Sequence, residues 1–224
     1  GALALPAAFA VERDYGAAIA GSGRRVRHQD VRIASASFAL SSSTAHQTAT
    51  FNLMGASART LAASPIDAEP DDFGHAAFQL AGINVVFDGG ATELCIETLN
   101  FNWDNDLDPD MRCLNAGGKR HGLDEGRALI SGDGVALFDT AVLMEKADSR
   151  DNLAIAITLQ RGTGTGTSGN EKLVINIPLS KVAAPSPPIN GPRGLRQPFS
   201  FRAHRVGGSE VGVTAVLSVP RETV

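Results

Sequence analysis

The sequence predicts a mainly all-β protein, a β-sandwich or partly closed barrel with one short flanking α-helix. Three observations predict it. Short runs alternate apolar and polar residues, most clearly in NLAIAITLQ, where Leu153, Ile155, Ile157 and Leu159 point one way, and a period of two is the mark of a half-buried strand. Glycine, proline and Asn/Asp clusters separate these runs, as turns between strands require. Hydrophobic residues make up 43% but aromatics only 5%, with 24 glycines, so the core must be built from Val, Leu, Ile, Ala and Phe. A chain of 224 residues fits one large or two small all-β domains. The pattern is read as an extended N-terminal arm over residues 1–30 and a single domain over 31–224, with long loops at 55–75, 104–122, 161–170 and 183–194.

Taken in order, residues 1–30 are Ala/Gly-rich and end in the basic patch GRRVRHQD. The opening GALALPAAFA has the small apolar character of a signal-peptide tail without Met or a basic stretch, and is read as a fragment or processed terminus. VRIASASFAL alternates with one slip, which a bulge would absorb, and TATFNLMG completes a hairpin with it. Two further strands flank the tight-turn signal Asp88-Gly89-Gly90. In the second of them the spacing from Ile96 to Leu99 requires another bulge. Asp139 is positioned to cap a short helix over TAVLMEKADS. RGTGTGTSGN reads as a mobile hairpin tip, KLVINIP as a strand ending at Pro178, and AAPSPPINGPRG as a polyproline-like crossing. FSFRAHRV and VGVTAVLSV read as a last hairpin turned at Gly207-Gly208.

Charge and chemistry narrow the function. The net charge is -4 and no basic cluster exceeds Arg24, Arg25 and Arg27, so the chain lacks the basic stripe that grips nucleic acid by neutralising phosphates. DNA that met this protein would pass it rather than be held. No apolar run is long enough to span a membrane. Cys95 and Cys113 cannot build a zinc site unaided; they read as free buried thiols, or as one bridge in an oxidising setting. The five histidines show no i, i+2 or i, i+4 spacing. Asp104, Asp106, Asp108 and Asp110 alternate like calcium ligands, but Pro109 and Asn115 stand where an EF-hand loop needs glycine and glutamate. GTGTGTSG leads into a strand rather than a helix, which fails the phosphate-cradle test. No G-x-S-x-G elbow is present. Spacing alone leaves a paired-carboxylate glycosidase open, yet one Trp and one Tyr give little surface for stacking sugars. The expectation is a protein that builds and binds, with no enzymatic activity and no metal or cofactor.

The order of LNFNWDNDLDP, GRALISGDGVALF, DTAVLMEKA and KLVINIPLSKVAAPSPPINGP, followed by Phe199, Phe201 and Ala203 in a Phe-x-Phe-x-Ala strand, resembles the tail tube protein family of long-tailed bacteriophages over residues 78–219. The stretch before residue 75 matches only loosely. What the resemblance implies is a structural virion protein: six copies in a ring, rings stacked into a hollow tail tube, and a genome passing through the lumen without sequence-specific binding. It also implies assembly in the host cytoplasm, contacts with tail-terminator, tape-measure and distal-tail proteins, and no membrane. On that basis the candidate inter-subunit contacts are Arg24, Arg25, Arg27, Asp104, Asp106, Asp108, Asp110, Lys119, Arg120 and Arg161. The arginines of the arm would pair with acidic loops of a neighbour, and the carboxylate excess would give a mildly acidic lumen. The alternative is a surface-exposed β-sandwich binding module of the capsid-decoration or adhesin type.

Overall fold

The computed structural model describes residues 8–16, 24–43, 46–56, 60–67, 77–90, 94–108, 110, 114, 123–124, 126–189, 194–204 and 212–219. The clearest alternation in the sequence forms one wall: β8 (Asn152–Gln160) buries Leu153, Ile155, Ile157 and Leu159, and β9 (Lys172–Ala183) lies antiparallel to it, burying Ile175 and Ile177. From there the strands form one eleven-stranded sheet. Its path runs β1 (Phe9–Asp14), β2 (Arg25–Ser41), β6 (Ile96–Asp104), β7 (Leu129–Leu137), β10 (Arg196–Ala203), β9, β8, β5 (Ile83–Phe87). β3 (Thr48–Gly55) and β4 (Thr60–Ala62) pair with β2, and β11 (Thr214–Ser218) pairs with β9.

The sheet curls into a half-barrel, so the all-β expectation holds, with one α-helix among the described residues, α1 (Val142–Ser149). Curling brings β5 towards β10, and the rings of Phe87 and Phe199 meet edge to face with centroids 6.3 Å apart. The concave side holds Leu40, Leu99, Phe101, Ile155, Ile177, Phe201 and, from α1, Leu143. Each such side chain contributes about 1.5–3 kcal/mol by leaving water. The core is therefore Leu, Ile, Phe, Val and Ala, as the composition required.

Both expected bulges are present, as register shifts between Ile33 and Ser35 in β2 and between Ile96 and Thr98 in β6. β2 and β3 form the expected hairpin. Other readings need correction. The turn at Asp88-Gly89-Gly90 exists, with positive φ at all three residues, but it does not join paired strands: β5 pairs with β8 and β6 lies between β2 and β7. A turn signal fixes where the chain reverses, not what it pairs with. For the same reason β10 and β11 are no hairpin, since β11 pairs with β9, and β10 with β7 and β9; Gly207 and Gly208 lie outside the described residues.

Pro178 does not end its strand, because β9 continues to Ala183. The ladder with β8 shifts register between Leu153 and Ile155, opposite Ser180 and Ile177. Pro178 sits within that irregularity, where a missing N–H costs no ladder bond. The helix starts later than its expected cap: Ala141 holds the N-cap position with no side-chain bond, and Asp139 is exposed. The boundary expected at residue 30 falls inside β2. Cys95 is exposed with a free thiol rather than buried, and Cys113 is outside the described residues.

Candidate assembly surfaces

β1, the first half of β2 and β4 form a small layer of three strands. In the β1–β2 ladder Glu12 stands opposite Arg27 and Asp14 opposite Arg25, while β4 flanks the other side of β2 with Thr60 opposite Arg27 and Ala62 opposite Arg25. The basic patch is thus matched by acidic residues of its own chain: Arg25 lies 2.8 Å from Asp14 and 3.6 Å from Glu12, Arg27 2.5 Å from Glu12, and Arg24 3.1 Å from Asp14. The Asp14 carboxyl is held below its usual range, chiefly by the Gly16 N–H bonded to it at 2.7 Å and then by Arg24. Sequence reading placed the three arginines on a neighbour's acidic loop. It missed Glu12 and Asp14 because their register against β2 is a tertiary fact.

The four aspartates lie at and beyond the end of β6, and all are exposed. Asp104 accepts from the Asp106 amide at 2.9 Å and Asp108 from the Asp110 amide at 2.8 Å. These are local turn bonds, the ordinary work of aspartate in loops. Asp106 itself has φ of 49° and accepts the Gly126 amide through its carbonyl. Asn105 anchors the segment by donating to the Ile33 carbonyl at 2.8 Å, beside the β2 bulge, and Leu107 two residues on is buried. Among the described residues no group of three His, Cys, Asp or Glu could hold a metal ion. Lys119 and Arg120 lie outside the described residues.

Arg161 opens the glycine tract and pairs at 2.9 Å with Glu171, whose side chain is only 3% exposed. Between them the chain turns through positive φ at Gly162, Gly164, Gly166 and Gly169, a conformation cheap only for glycine. Asn170 holds the turn: its carbonyl oxygen accepts from the Thr163 amide at 2.8 Å and hydroxyl at 3.0 Å, and its amide donates to the Thr167 hydroxyl at 3.0 Å. The tract is the tip of the β8–β9 hairpin, as expected, and it is a hydrogen-bonded turn.

Apolar residues also remain uncovered on flanking strands. Phe51 of β3 is 51% exposed although its ring meets Phe38 edge to face at 6.0 Å, and Leu53 beside it is exposed as well. Val216 and Leu217 of β11 are exposed too. Alternation revealed which face of β3 was apolar, but not that Phe51 and Leu53 on it stay exposed.

Exposed apolar residues on open edge strands are the kind of surface through which proteins join others. The family described as phage tail tube protein matches residues 5–203. The chain belongs to that family. No curated protein matches the chain. For a tail tube protein, the extent of the match is informative. It begins before β1 and so takes in the arm, where the order of motifs gave only a loose resemblance, and it ends at the last residue of β10, with β11 beyond it. Membership makes this tail tube protein a structural component of the virion tail that assembles with other tail proteins. No helix of the described residues is long and apolar enough to cross a membrane.

Proposed function

We propose that this tail tube protein is the repeating subunit of a hollow tube, six copies to a ring, with rings stacked and the genome passing through the lumen. The family match over residues 5–203 carries the reading. The uncovered apolar pair Phe51 and Leu53 on β3 supports it, since a closed cyclic assembly is an economical way to cover such residues and satisfy open strand edges. The exposed loop at Asp104, Asp106, Asp108 and Asp110 is proposed as a contact between rings or between ring neighbours, with Arg161 at the foot of the second such excursion. Lys119 and Arg120 belong to the first. The internally paired Arg24, Arg25 and Arg27 reach a neighbour in this reading only by exchanging Glu12 and Asp14 for its carboxylates. Assembly in the host cytoplasm and contacts with tail-terminator, tape-measure and distal-tail proteins complete the proposal.

The chain is proposed to act on no substrate. Its passage of DNA would depend on the absence of a basic stripe, in keeping with a net charge of -4. Electron microscopy of the purified protein tests the reading. Hollow stacked rings with sixfold symmetry are expected, whereas monomers at high concentration with no tubes would favour a surface binding module.

A further inference from the structure

We propose that β1, the Arg25–Asp30 half of β2 and β4 form an electrostatic clasp, a layer that opens separately from the half-barrel because ion pairs rather than apolar packing hold it, and that rising salt releases it. The contrast lies along a single strand. Towards its end β2 buries Ala36 and Leu40 against the half-barrel. Followed back past buried Val31, where the β1–β2 register shifts, the strand carries Arg27 and Arg25 on the face of Glu12 and Asp14. Arg25 is 9% exposed, and what surrounds it is charge: Asp14 and Glu12 across the ladder, with Arg27 and Arg24 sharing those two carboxylates.

Residues 63–66 close over the group. The carbonyls of Ala63 and Ser64 accept from Arg25 and Arg27, and the Ile66 amide donates to Glu12 at 3.3 Å. Arg13 takes no part in the pairs and lies over the Tyr15 ring, 5.0 Å from its centroid. Among the described residues, neither the buried apolar cluster nor the side chains packed against it include a member of β1, of β4 or of the Arg25–Asp30 half of β2.

Two consequences follow. Ion pairs near a surface weaken as the screening length falls from about 10 Å at 0.1 M salt to about 3 Å at 1 M, while burial of hydrocarbon does not. Units with few apolar contacts also open at lower free energy than the core. Three guanidiniums share two carboxylates, so losing one carboxylate leaves an unbalanced cluster. The clasp goes beyond the tube reading and does not depend on it.

Amide hydrogen exchange of the full chain tests it, at roughly 0.05 M and 1 M sodium chloride, with light scattering showing the same assembly state at both. The expected result is about tenfold faster exchange in β1, β4 and Arg25–Asp30 at high salt, with β8 and β9 unchanged. Glu12→Gln should speed exchange in the same strands at low salt and remove most of the salt response. Protection in the arm equal to that of β8 and β9 at both salts would overturn the proposal. So would a salt response in Glu12→Gln as large as in the unaltered chain, since the ion pairs would then not be its cause. Protection of β8 and β9 reports within the same experiment that the variant is folded.

Discussion

The ring of Phe201 lies directly over the α-carbon of Gly132, its partner across the β10–β7 ladder, so that a β-carbon built at Gly132 would come within 2.3 Å of the ring. It would meet the Asn100 carbonyl of β6 at 2.3 Å as well. Gly134 repeats the arrangement under Phe199, at 2.8 Å from the ring and 2.6 Å from the Thr98 carbonyl. These two glycines leave room for the two phenyl rings of β10 against β7. Gly132→Ala is therefore expected to destabilise by about 1–3 kcal/mol, and more than Gly134→Ala, whose clashes are milder. Urea unfolding of the two variants checks both magnitude and order.

Asp88 ties the curled end of the sheet to the helix. One carboxylate oxygen accepts the Ala154 amide of β8 at 3.0 Å, and the other pairs with Lys146 of α1 at 2.6 Å. Its φ of 49° is left-handed, which asparagine tolerates better than alanine. Asp88→Ala loses the amide acceptor, the ion pair and the local preference, and is expected to cost about 2 kcal/mol. Asp88→Asn keeps the acceptor and the backbone preference, with an expected cost of about 1 kcal/mol or less. Thermal unfolding should rank them in that order, and equal losses would show that only the ion pair matters.

How far the sequence could be read follows from cases like Asp88. The Asp-Gly-Gly turn was legible because left-handed conformations need those residue types, but the partner of β5 was not, because alternation gives a strand two faces and says nothing of which edge it meets. Pro178 misled for a related reason: its missing N–H matters only where the ladder is regular, and the shift between Leu153 and Ile155 is invisible without β8 alongside. At the candidate surfaces, Arg24, Arg25 and Arg27 were legible as a charge cluster. Their partners within the chain, Glu12 and Asp14, became visible only with the β1–β2 register. Phe51 shows the limit most plainly, since hydrophobicity and period mark it as apolar-facing whether or not anything covers it.

Arg196 and Glu97 form a two-pronged pair, with nitrogen to oxygen distances of 2.7 and 2.8 Å. The hydrogen bond from Arg196 holds the Glu97 carboxyl below its ordinary value of 4.5, and the guanidinium is raised in turn by Glu97. A carboxyl whose folded pKa is lowered stabilises the fold at pH above its unfolded value, and that contribution is lost as pH falls through the folded value. Unfolding midpoints for the unaltered chain and Glu97→Gln should therefore differ at pH 7 and converge as the pH drops below about 4.5. A constant difference across that range would show that the pair's charge is not what matters. The pair is exposed, so the gap at neutral pH is expected to be small and to narrow further with salt.

The glycine tract supplies the sharpest test of order in a segment whose composition reads as slack. Asn170 bonds with the Thr163 amide and hydroxyl and the Thr167 hydroxyl, and its own backbone amide and carbonyl engage Thr167 and Gly166. The turn then closes at its base on the pair of Arg161 and buried Glu171. If low complexity governed this segment, Asn170→Ala would change little, because a flexible Gly/Thr loop has no geometry to lose. With the observed bonds, Asn170→Ala removes four side-chain hydrogen bonds, the fourth to the Ser168 carbonyl, and leaves the backbone turn and the base pair in place. The expected outcome is local: limited proteolysis cuts within 161–170 at least several-fold faster, at a cost of about 1 kcal/mol in global stability. Glu171→Ala is expected to act differently, because it strips the partly buried Arg161 of its partner and reaches the ends of β8 and β9. Its cost should be larger, about 2–3 kcal/mol, and appear in global unfolding. Equal and purely local effects from the two variants would mean that the base of the turn is as loosely held as its tip.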